Sequence, residues 1–190
     1  SICIVTRNRK DDLLVALRSC LAQTYKPLEI LVYDAASTDG TGEAVRSLSA
    51  SVVYRREETD RGLPALRNRS YREAAGEIVV TLDDDAYYTD ATTIEQVVAE
   101  FQRQPGIAAI AMPFISPRHG AAARPESTPA QRLRSFTGCS HAMRRDIALR
   151  MGPYREISGY YREDRDLGIR LLGAGQVIVK GALPPVVHMH

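Results

Sequence analysis

The sequence predicts an α/β fold in which helices flank one doubly wound, mostly parallel sheet. Short β-branched and apolar runs alternate with amphipathic stretches from residue 2 to residue 112. This alternation favours parallel strands that are joined by right-handed crossovers. The composition agrees with one globular core, because 44% of the 190 residues are hydrophobic and 25% are charged.

The spacing of apolar residues along the chain predicts where the strands and helices lie. We predict strands at 2–5, 29–33, 52–54, 78–82, 107–112 and 176–179, and an extended segment at 136–143. We predict a first helix that is capped by Asp11 or Asp12 and ends at residue 21. Further helices are predicted at 42–48, 62–75, 92–103, 146–151 and 164–173. Between them, 113–129 contains four prolines and little periodicity, so we expect a mobile lid or acceptor loop there.

Charge and cysteine content limit the class of protein. A net charge of +2 is too small to favour nucleic acid as a partner. Three cysteines without close spacing predict neither a disulfide framework nor a zinc knuckle, so a cytoplasmic location is expected. No apolar run has the length of a membrane span. Because the chain lacks an initiator Met, we expect 1–190 to be a single domain cut from a longer protein, whose other parts would provide any peripheral membrane association.

An acidic triplet, Asp83-Asp84-Asp85, directly follows the predicted strand at 78–82. In open α/β sheets, ligands bind beyond the carboxyl ends of the strands. Asp83 and Asp85 would share one face of an extended chain, and carboxylate oxygens suit Mg²⁺ or Mn²⁺. The alternative is an acidic surface loop or a helix cap before residues 89–90.

Three further positions are candidates for chemistry. Asp34 ends the second strand beside a turn of small residues, where it is expected to contact a ligand, whereas Asp39 is expected to cap a helix. Asp164 precedes Leu167 and Leu171 at helical spacing, so it would face a cavity and act as a general base, unless it is only a helix N-terminal acid. His188 and His190 would share one face of a strand, as ligands or by coincidence.

The order of the motifs resembles that of family 2 glycosyltransferases, which have the Rossmann-like GT-A fold. The matching segments are 4–9, 21–30, Asp34 with 37–41, 62–68, 75–77, 82–85, and 163–164 with 166–167. The resemblance implies an inverting, metal-dependent transfer of a sugar from a nucleotide diphosphate sugar to an acceptor hydroxyl, in polysaccharide or glycoconjugate synthesis of the cell envelope. The implied acceptor is a saccharide, a lipid-linked molecule or another hydroxyl compound, used in the cytoplasm or at the inner membrane face.

The resemblance also implies a role for each matching position. Asp164 would be the catalytic base, and Asp85 with His188 would hold the Mn²⁺ or Mg²⁺ ion. The residues implied in nucleotide-sugar binding are Thr6, Asp34, Arg67, Asp83 and Asp84.

The sequence departs from the family pattern at two points. Ala35 replaces an acid or Asn that follows the first Asp in many members, which leaves the nucleobase open. The Gln-x-x-Arg-Trp signature of processive synthases is absent, since the chain has no Trp, so single transfer is expected. A sugar-1-phosphate nucleotidyltransferase is disfavoured because residues 6–10 contain no Gly. A catalytically degenerate domain that binds a nucleotide or a protein partner is the alternative.

Overall fold

The computed structural model describes residues 1–116, 132–134, 136, 139–156 and 163–190. The strands are β1 (Ile2–Thr6), β2 (Ile30–Asp34), β3 (Val52–Arg56), β4 (Ile78–Leu82), β5 (Ala86–Tyr88), β6 (Ile107–Ala111), β7 (Phe114–Ile115), β8 (Ser140–Arg144), β9 (Val177–Lys180) and β10 (Val186–His188). The helices are α1 (Lys10–Leu21), α2 (Thr41–Leu48), α3 (Leu63–Glu73), α4 (Thr93–Arg103), α5 (Arg145–Met151) and α6 (Glu163–Gly173).

The main sheet has seven strands in the order β3-β2-β1-β4-β8-β6-β9. Neighbouring strands pair in parallel except β8, which runs antiparallel to both β4 and β6. The prediction of an α/β fold with a mostly parallel central sheet is therefore confirmed. The strands predicted within the first 112 residues, β1 to β4 and β6, all run in one direction, and the reversed β8 lies between β4 and β6.

The strand order reverses direction at β1. From β1 the chain proceeds to β2 and β3 on one side, and it then crosses over to place β4 on the other side. The carboxyl ends of β1 and β4 therefore border a crevice, which is where open α/β sheets bind ligands. Thr6 ends β1, and Asp83 directly follows β4.

Two hydrophobic cores cover the two faces of this sheet. Alternate residues of β1 point to opposite faces, so Ile2 and Ile4 enter one core while Cys3 enters the other. Helices α1, α2 and α4 contribute to the first core, and α3, α5 and α6 contribute to the second. Since both faces are covered, β2 and β4 are almost entirely buried, as their continuous apolar sequences predict.

A second, three-stranded sheet has the order β5-β10-β7. β10 is antiparallel to β5, with His188 opposite Ala86, and parallel to β7. Neither β5 nor β7 was expected. The loop prediction for 113–129 is wrong at Phe114–Ile115, because these residues form β7, and its part from residue 117 onward lies outside the described residues.

The first helix is capped from another loop. α1 begins at Lys10, so the expected caps Asp11 and Asp12 lie inside its first turn. Asp39 instead accepts a hydrogen bond from the Lys10 backbone N–H through Oδ2 (3.0 Å), and from the Thr41 N–H of α2 through Oδ1 (3.1 Å). The interpretation of Asp39 as a helix cap is supported, and its carboxylate serves two helices.

Among the helices of the described residues, none is both long enough and apolar enough to span a bilayer.

Candidate active site

A cavity of about 980 Å³ opens at the carboxyl ends of β1 and β4. It is bordered by the β1–α1 loop, the start of α3, the acidic triplet, the start of α6 and the C-terminal residues after β10. Its polar lining includes Thr6, Arg7, Arg9, Asp60, Arg67, Asp83, Asp84, Asp85, Cys139, Glu163, Asp164, His188 and His190. Seven of the eight predicted site residues thus share one cavity, and the exception is Asp34.

The acidic triplet forms a turn and not the extended segment that the sequence led us to expect. β4 ends at Leu82, and the Ala86 N–H donates to the Asp83 carbonyl at 3.2 Å. The three carboxylates consequently diverge to different partners. Asp83 Oδ1 accepts from Arg67 Nη2 at 2.7 Å, Asp84 Oδ2 accepts from Thr6 Oγ1 at 2.8 Å, and Asp85 Oδ2 accepts from a third partner, Arg9.

Burial raises the pKa of two carboxyl groups of the triplet. Removal from water raises the pKa of Asp83, and the Arg67 guanidinium opposes that rise. Burial also raises the pKa of Asp84 to about 6, against the opposing effects of the Thr6 hydrogen bond and of Arg9. The carboxylates of the turn are partly withdrawn from water and only partly neutralised by arginine, so a bound cation would stabilise their charged forms.

The two C-terminal histidines have different partners. β10 ends at His188, whose Nε2 lies 3.3 Å from Asp85 Oδ1, whereas His190 Nε2 lies 3.0 Å from Asp12 Oδ2. β10 ends between the two histidines, and each has its own acidic partner, which favours the interpretation that their spacing is a coincidence. His188 remains at the triplet, and His190 belongs to the outer rim.

The residues at the triplet fit a divalent ion. Asp85 and His188 provide oxygen and nitrogen donors, and both face the cavity. Arg9 Nη1 lies 2.5 Å from Asp85 and 3.3 Å from Asp84, but its side chain is 47% exposed, so it can leave without breaking a packed core. Carboxylate oxygens suit Mg²⁺ or Mn²⁺, whereas an imidazole nitrogen is a ligand for transition-metal ions.

Arg67 connects the triplet to the second acidic cluster. Its guanidinium donates to Asp83, to Glu163 Oε1 at 2.9 Å and to Asp164 Oδ1 at 3.4 Å, and its side chain is only 4% exposed. Burial lowers the pKa of Arg67, but the surrounding carboxylates, first Asp83, outweigh it and hold the pKa above its usual value. Arg67 is thus a permanent cation between two groups of acids.

Asp164 faces the cavity from the first turn of α6. Burial raises its pKa, Glu163 and Asp83 add to the rise, and Arg67 opposes it, so that the pKa is about 6. Arg67 is therefore the cation that opposes the rise in the pKa of Asp164. A carboxylate with a pKa of about 6 is ionised at neutral pH and more basic than an exposed one, which suits a general base.

Tyr154 packs against Arg67, the cation of this second cluster. The Arg67 guanidinium stacks on the Tyr154 ring at 5.6 Å, and the Tyr154 hydroxyl lies 2.9 Å from His141 Nε2. Asn68 fixes the Tyr154 backbone, donating to its carbonyl and accepting from its N–H, both at 2.8 Å. Burial lowers the pKa of His141 to about 3, so this imidazole stays neutral beneath the site.

Asp34 does not line the cavity, although it lies opposite Thr6 in the pairing of β1 with β2. It is fully buried at the end of β2, where Oδ1 accepts from the Ser37 N–H at 2.8 Å and Oδ2 accepts from the Tyr54 hydroxyl. Its partners orient the turn that follows β2. Direct contact between Asp34 and a nucleoside stays a prediction, and it would require Tyr54 to release the carboxylate.

Sequence reasoning missed several residues of this cavity. Arg9 was quoted only as part of a matching segment, Cys139 only as an unpaired cysteine, and Tyr154 not at all. Each is a single residue without a spacing pattern, and each meets its partners from a distant part of the chain. Glu163 was visible as the neighbour of Asp164, but its ion pair with Arg67 depends on how α3 and α6 pack.

Residues 1–161 match the model of the family described as Glycosyl transferase family 2. The chain belongs to glycosyl transferase family 2. This assignment confirms the resemblance drawn from the motifs, and the structural neighbours confirm the GT-A fold.

Known proteins resemble this chain over different lengths. The UDP-Glc:alpha-D-GlcNAc-diphosphoundecaprenol beta-1,3-glucosyltransferase WfaP of Escherichia coli is 31% identical over 98 residues, 51% of this chain. The mannosyltransferase PcManGT of Pyrobaculum calidifontis, solved with GDP-Man and Mn²⁺, has a TM-score of 0.78 and 25% identity over 100% of this chain. S. aureus TarS 1-349, solved with UDP-GlcNAc, has a TM-score of 0.83 at 16% identity, again over 100% of this chain.

The chain spans only part of the length of these proteins. It covers 39% of the E. coli protein, 55% of the PcManGT chain and 58% of the TarS chain.

Proposed function

We propose that this family 2 domain is an inverting glycosyltransferase that uses a divalent metal ion and a nucleotide diphosphate sugar. The observation that carries the proposal is the bridge formed by Arg67. Its Nη2 donates to Asp83 of the triplet, and its Nη1 donates to Asp164 of α6. One buried guanidinium therefore fixes a donor-binding cluster and a candidate base on two sides of one cavity.

The donor binds at the triplet. Asp85 and His188 would hold the metal ion, and Asp83 and Asp84 would contact the nucleotide sugar, with Thr6 fixing Asp84. The ion, when bound, supplies positive charge for the departing diphosphate. Arg9 is displaced from Asp85 in this state, and its half-exposed guanidinium becomes free to pair with the donor phosphates.

Asp164 accepts the proton of the acceptor hydroxyl. The base lies across Arg67 from the triplet, so the hydroxyl attacks from the side opposite the diphosphate, which gives inversion at the anomeric carbon. The bond between the anomeric carbon and the diphosphate oxygen breaks as the new glycosidic bond forms. The electron pair leaves with the diphosphate, and no covalent bond to the enzyme is required.

The substrates are proposed at the level of chemical class. Neighbours of the same fold were solved with GDP-Man and with UDP-GlcNAc, which supports a nucleotide diphosphate sugar without selecting the base. The name of the E. coli relative contains a lipid diphosphate acceptor, which supports a lipid-linked or saccharide hydroxyl in envelope polysaccharide synthesis. We place the reaction in the cytoplasm, at the inner face of the membrane.

A domain that binds a nucleotide without turnover is the second candidate, since Arg67 already neutralises part of the acid cluster. Donor hydrolysis in the presence of Mn²⁺ distinguishes the two, because a binding module would leave the sugar attached.

The direct test is a thermal-shift screen of nucleotide diphosphate sugars with Mn²⁺, followed by calorimetry of the best donor. We expect Asp85→Ala to abolish metal-dependent binding of the nucleotide diphosphate. Asp146→Ala removes an exposed carboxylate on α5 and serves as the matched control, with binding unchanged. Undiminished binding by the Asp85 variant would overturn the metal assignment.

A further inference from the structure

A sulfur donor lies beside the triplet. One ligand atom each of Asp83, Cys139 and His188 lies within 4.8 Å of the other two. Donors around a tetrahedral zinc ion are separated by about 3.5 Å, given bond lengths of 2.0 to 2.3 Å. Small side-chain rotations would therefore bring all three donors onto one ion.

The backbone holds these three residues in place. The Asp83 N–H donates to the Cys139 carbonyl at 3.0 Å, which continues the antiparallel pairing of β4 with β8. The Met189 N–H donates to the Asp85 carbonyl at 2.8 Å, which fixes the chain after His188 against the same turn. Backbone hydrogen bonds at or beside all three donors preorganise the site, so that binding requires mainly changes in side-chain torsions.

We propose that Asp83, Cys139 and His188 form a binding site for a thiophilic divalent ion such as Zn²⁺, distinct in its donors from the site for Mn²⁺ or Mg²⁺. Thiolate, imidazole and carboxylate are the ligands of protein zinc, whereas sulfur is a poor ligand for the harder ions. The thiol of Cys139 loses its proton to solvent as the sulfur–metal bond forms, and no electron is transferred.

The two ions exclude each other. His188 serves both sites, and an ion on Asp83 takes that carboxylate away from Arg67. Bound zinc would therefore remove a donor contact and disturb the bridge to Asp164. If the proposed glycosyltransfer is correct, Zn²⁺ inhibits it in competition with Mn²⁺; this consequence rests on the proposed function, whereas the zinc site itself does not.

The test uses Co²⁺ as a spectroscopic substitute for zinc in the metal-free protein, without nucleotide. We expect a thiolate-to-cobalt charge-transfer band in the near ultraviolet that Zn²⁺ titrates away. Cys139→Ser should abolish the band, and His188→Gln should weaken cobalt binding by at least about 10-fold to 100-fold. Cys20→Ser replaces a fully buried cysteine of the hydrophobic core and should keep the band.

A band that survives Cys139→Ser, or no band in the wild-type protein, would overturn the proposal. Circular dichroism of each variant establishes that it is folded before the titration. The cobalt titration contains no sugar donor and no acceptor. A positive result in this titration is therefore independent of the result of the transferase assay. The two proposals are thus tested separately.

Discussion

The cavity contains two acidic clusters, and they are neutralised in opposite ways. At the triplet, the cation nearest Asp85 is Arg9, whose side chain is 47% exposed. At Glu163 and Asp164, the cation is Arg67, whose side chain is 4% exposed and packed on the Tyr154 ring. Asp85 therefore has an exchangeable partner, and Asp164 has a permanent one.

This difference teaches where an external ion is needed. A buried guanidinium cannot leave without stranding charge in a low dielectric, so Arg67 is part of the fold. An exposed guanidinium interacts weakly with its partners and gives way to a divalent ion at small cost. We infer that the proposed metal ion would bind at Asp85 because the resident cation there is replaceable, whereas the proposed base Asp164 would keep its counterion.

The largest effect should come from Arg67→Gln. Removing a buried cation leaves Asp83, Glu163 and Asp164 uncompensated, and the expected loss is about 3–5 kcal/mol in the free energy of unfolding. Urea denaturation measures that loss. If Arg67→Gln does not fold, Arg67→Lys, which keeps the charge but not the fork, should fold with reduced stability and lower turnover. An Arg67→Gln protein of wild-type stability would contradict the permanent role of this cation.

Asp164→Asn should leave donor affinity nearly intact and reduce turnover by ~10²-fold or more, the usual scale for losing a general base. Its pKa shift of about two pH units predicts a stability gain of at most ~3 kcal/mol at neutral pH, because the variant no longer buries a charge. Asp146→Asn, an exposed acid on α5, is the control for both measurements. Wild-type turnover by the Asn variant would make Glu163 the next candidate for the base.

Turnover should fall as the pH drops through about 6, up to tenfold per pH unit below it, since only ionised Asp164 accepts a proton. Arg67 opposes protonation of Asp164, whereas Glu163 and Asp83 favour it, and the Tyr154 hydroxyl donates to the ionised form. The folded state binds this proton more tightly than the unfolded chain does. The contribution of Asp164 to the free energy of unfolding therefore decreases as the pH rises from about 4 to about 6. A pH–rate profile that is flat from pH 5 to pH 8 would refute the assignment.

Arg9→Gln is the matched counterpart of Arg67→Gln and should behave differently. Its stability cost should be below ~1 kcal/mol, as for other exposed ion pairs. Affinity for Mn²⁺ without nucleotide should increase about fivefold, the equivalent of ~1 kcal/mol, because no guanidinium competes for Asp85. Calorimetric titration with Mn²⁺ measures the change. A weaker affinity would show that Arg9 assists the ion.

The smallest expected change in the free energy of unfolding comes from backbone variants, and it is a reference for the changes expected from the charge variants. Ala36 has a φ of 59°, in the left-handed region that glycine adopts without strain. Ala36→Gly should raise the free energy of unfolding by about 0.5–1 kcal/mol. Ala22→Gly, at the right-handed C-cap of α1, should lower it by a similar amount. Equal signs for the two variants would exclude a local conformational cause.

The alternating pattern of the first 112 residues was sufficient to predict the strands and helices around β1 and β4. β8 was anticipated only as an extended segment, because pairing direction depends on distant partners and not on local periodicity. β5 and β7 have three and two residues, and segments this short carry no readable period. The elements that hold the triplet were thus predictable, and those that bring His188 and Cys139 to it were not.

The candidate site shows the same division. Asp83, Asp85 and Asp164 were predicted because each stands where an element begins or ends. The partners Arg9 and Arg67 act across 76 and 97 residues, to Asp85 and Asp164 respectively, so their pairings follow only from packing. Sequence motifs indicated which carboxylates matter, and the fold determines which of them share a cation.

The double cap by Asp39 has a consequence for redesign. Asn8 accepts from the Thr38 N–H and donates through its own N–H to Ser37, and Asp39 caps α1, so the loops after β1 and β2 form one hydrogen-bonded unit. Exchanging either loop alone for that of a relative would leave the other with unpaired groups and an uncapped helix. Transplants of this region should therefore move both loops together, as one unit.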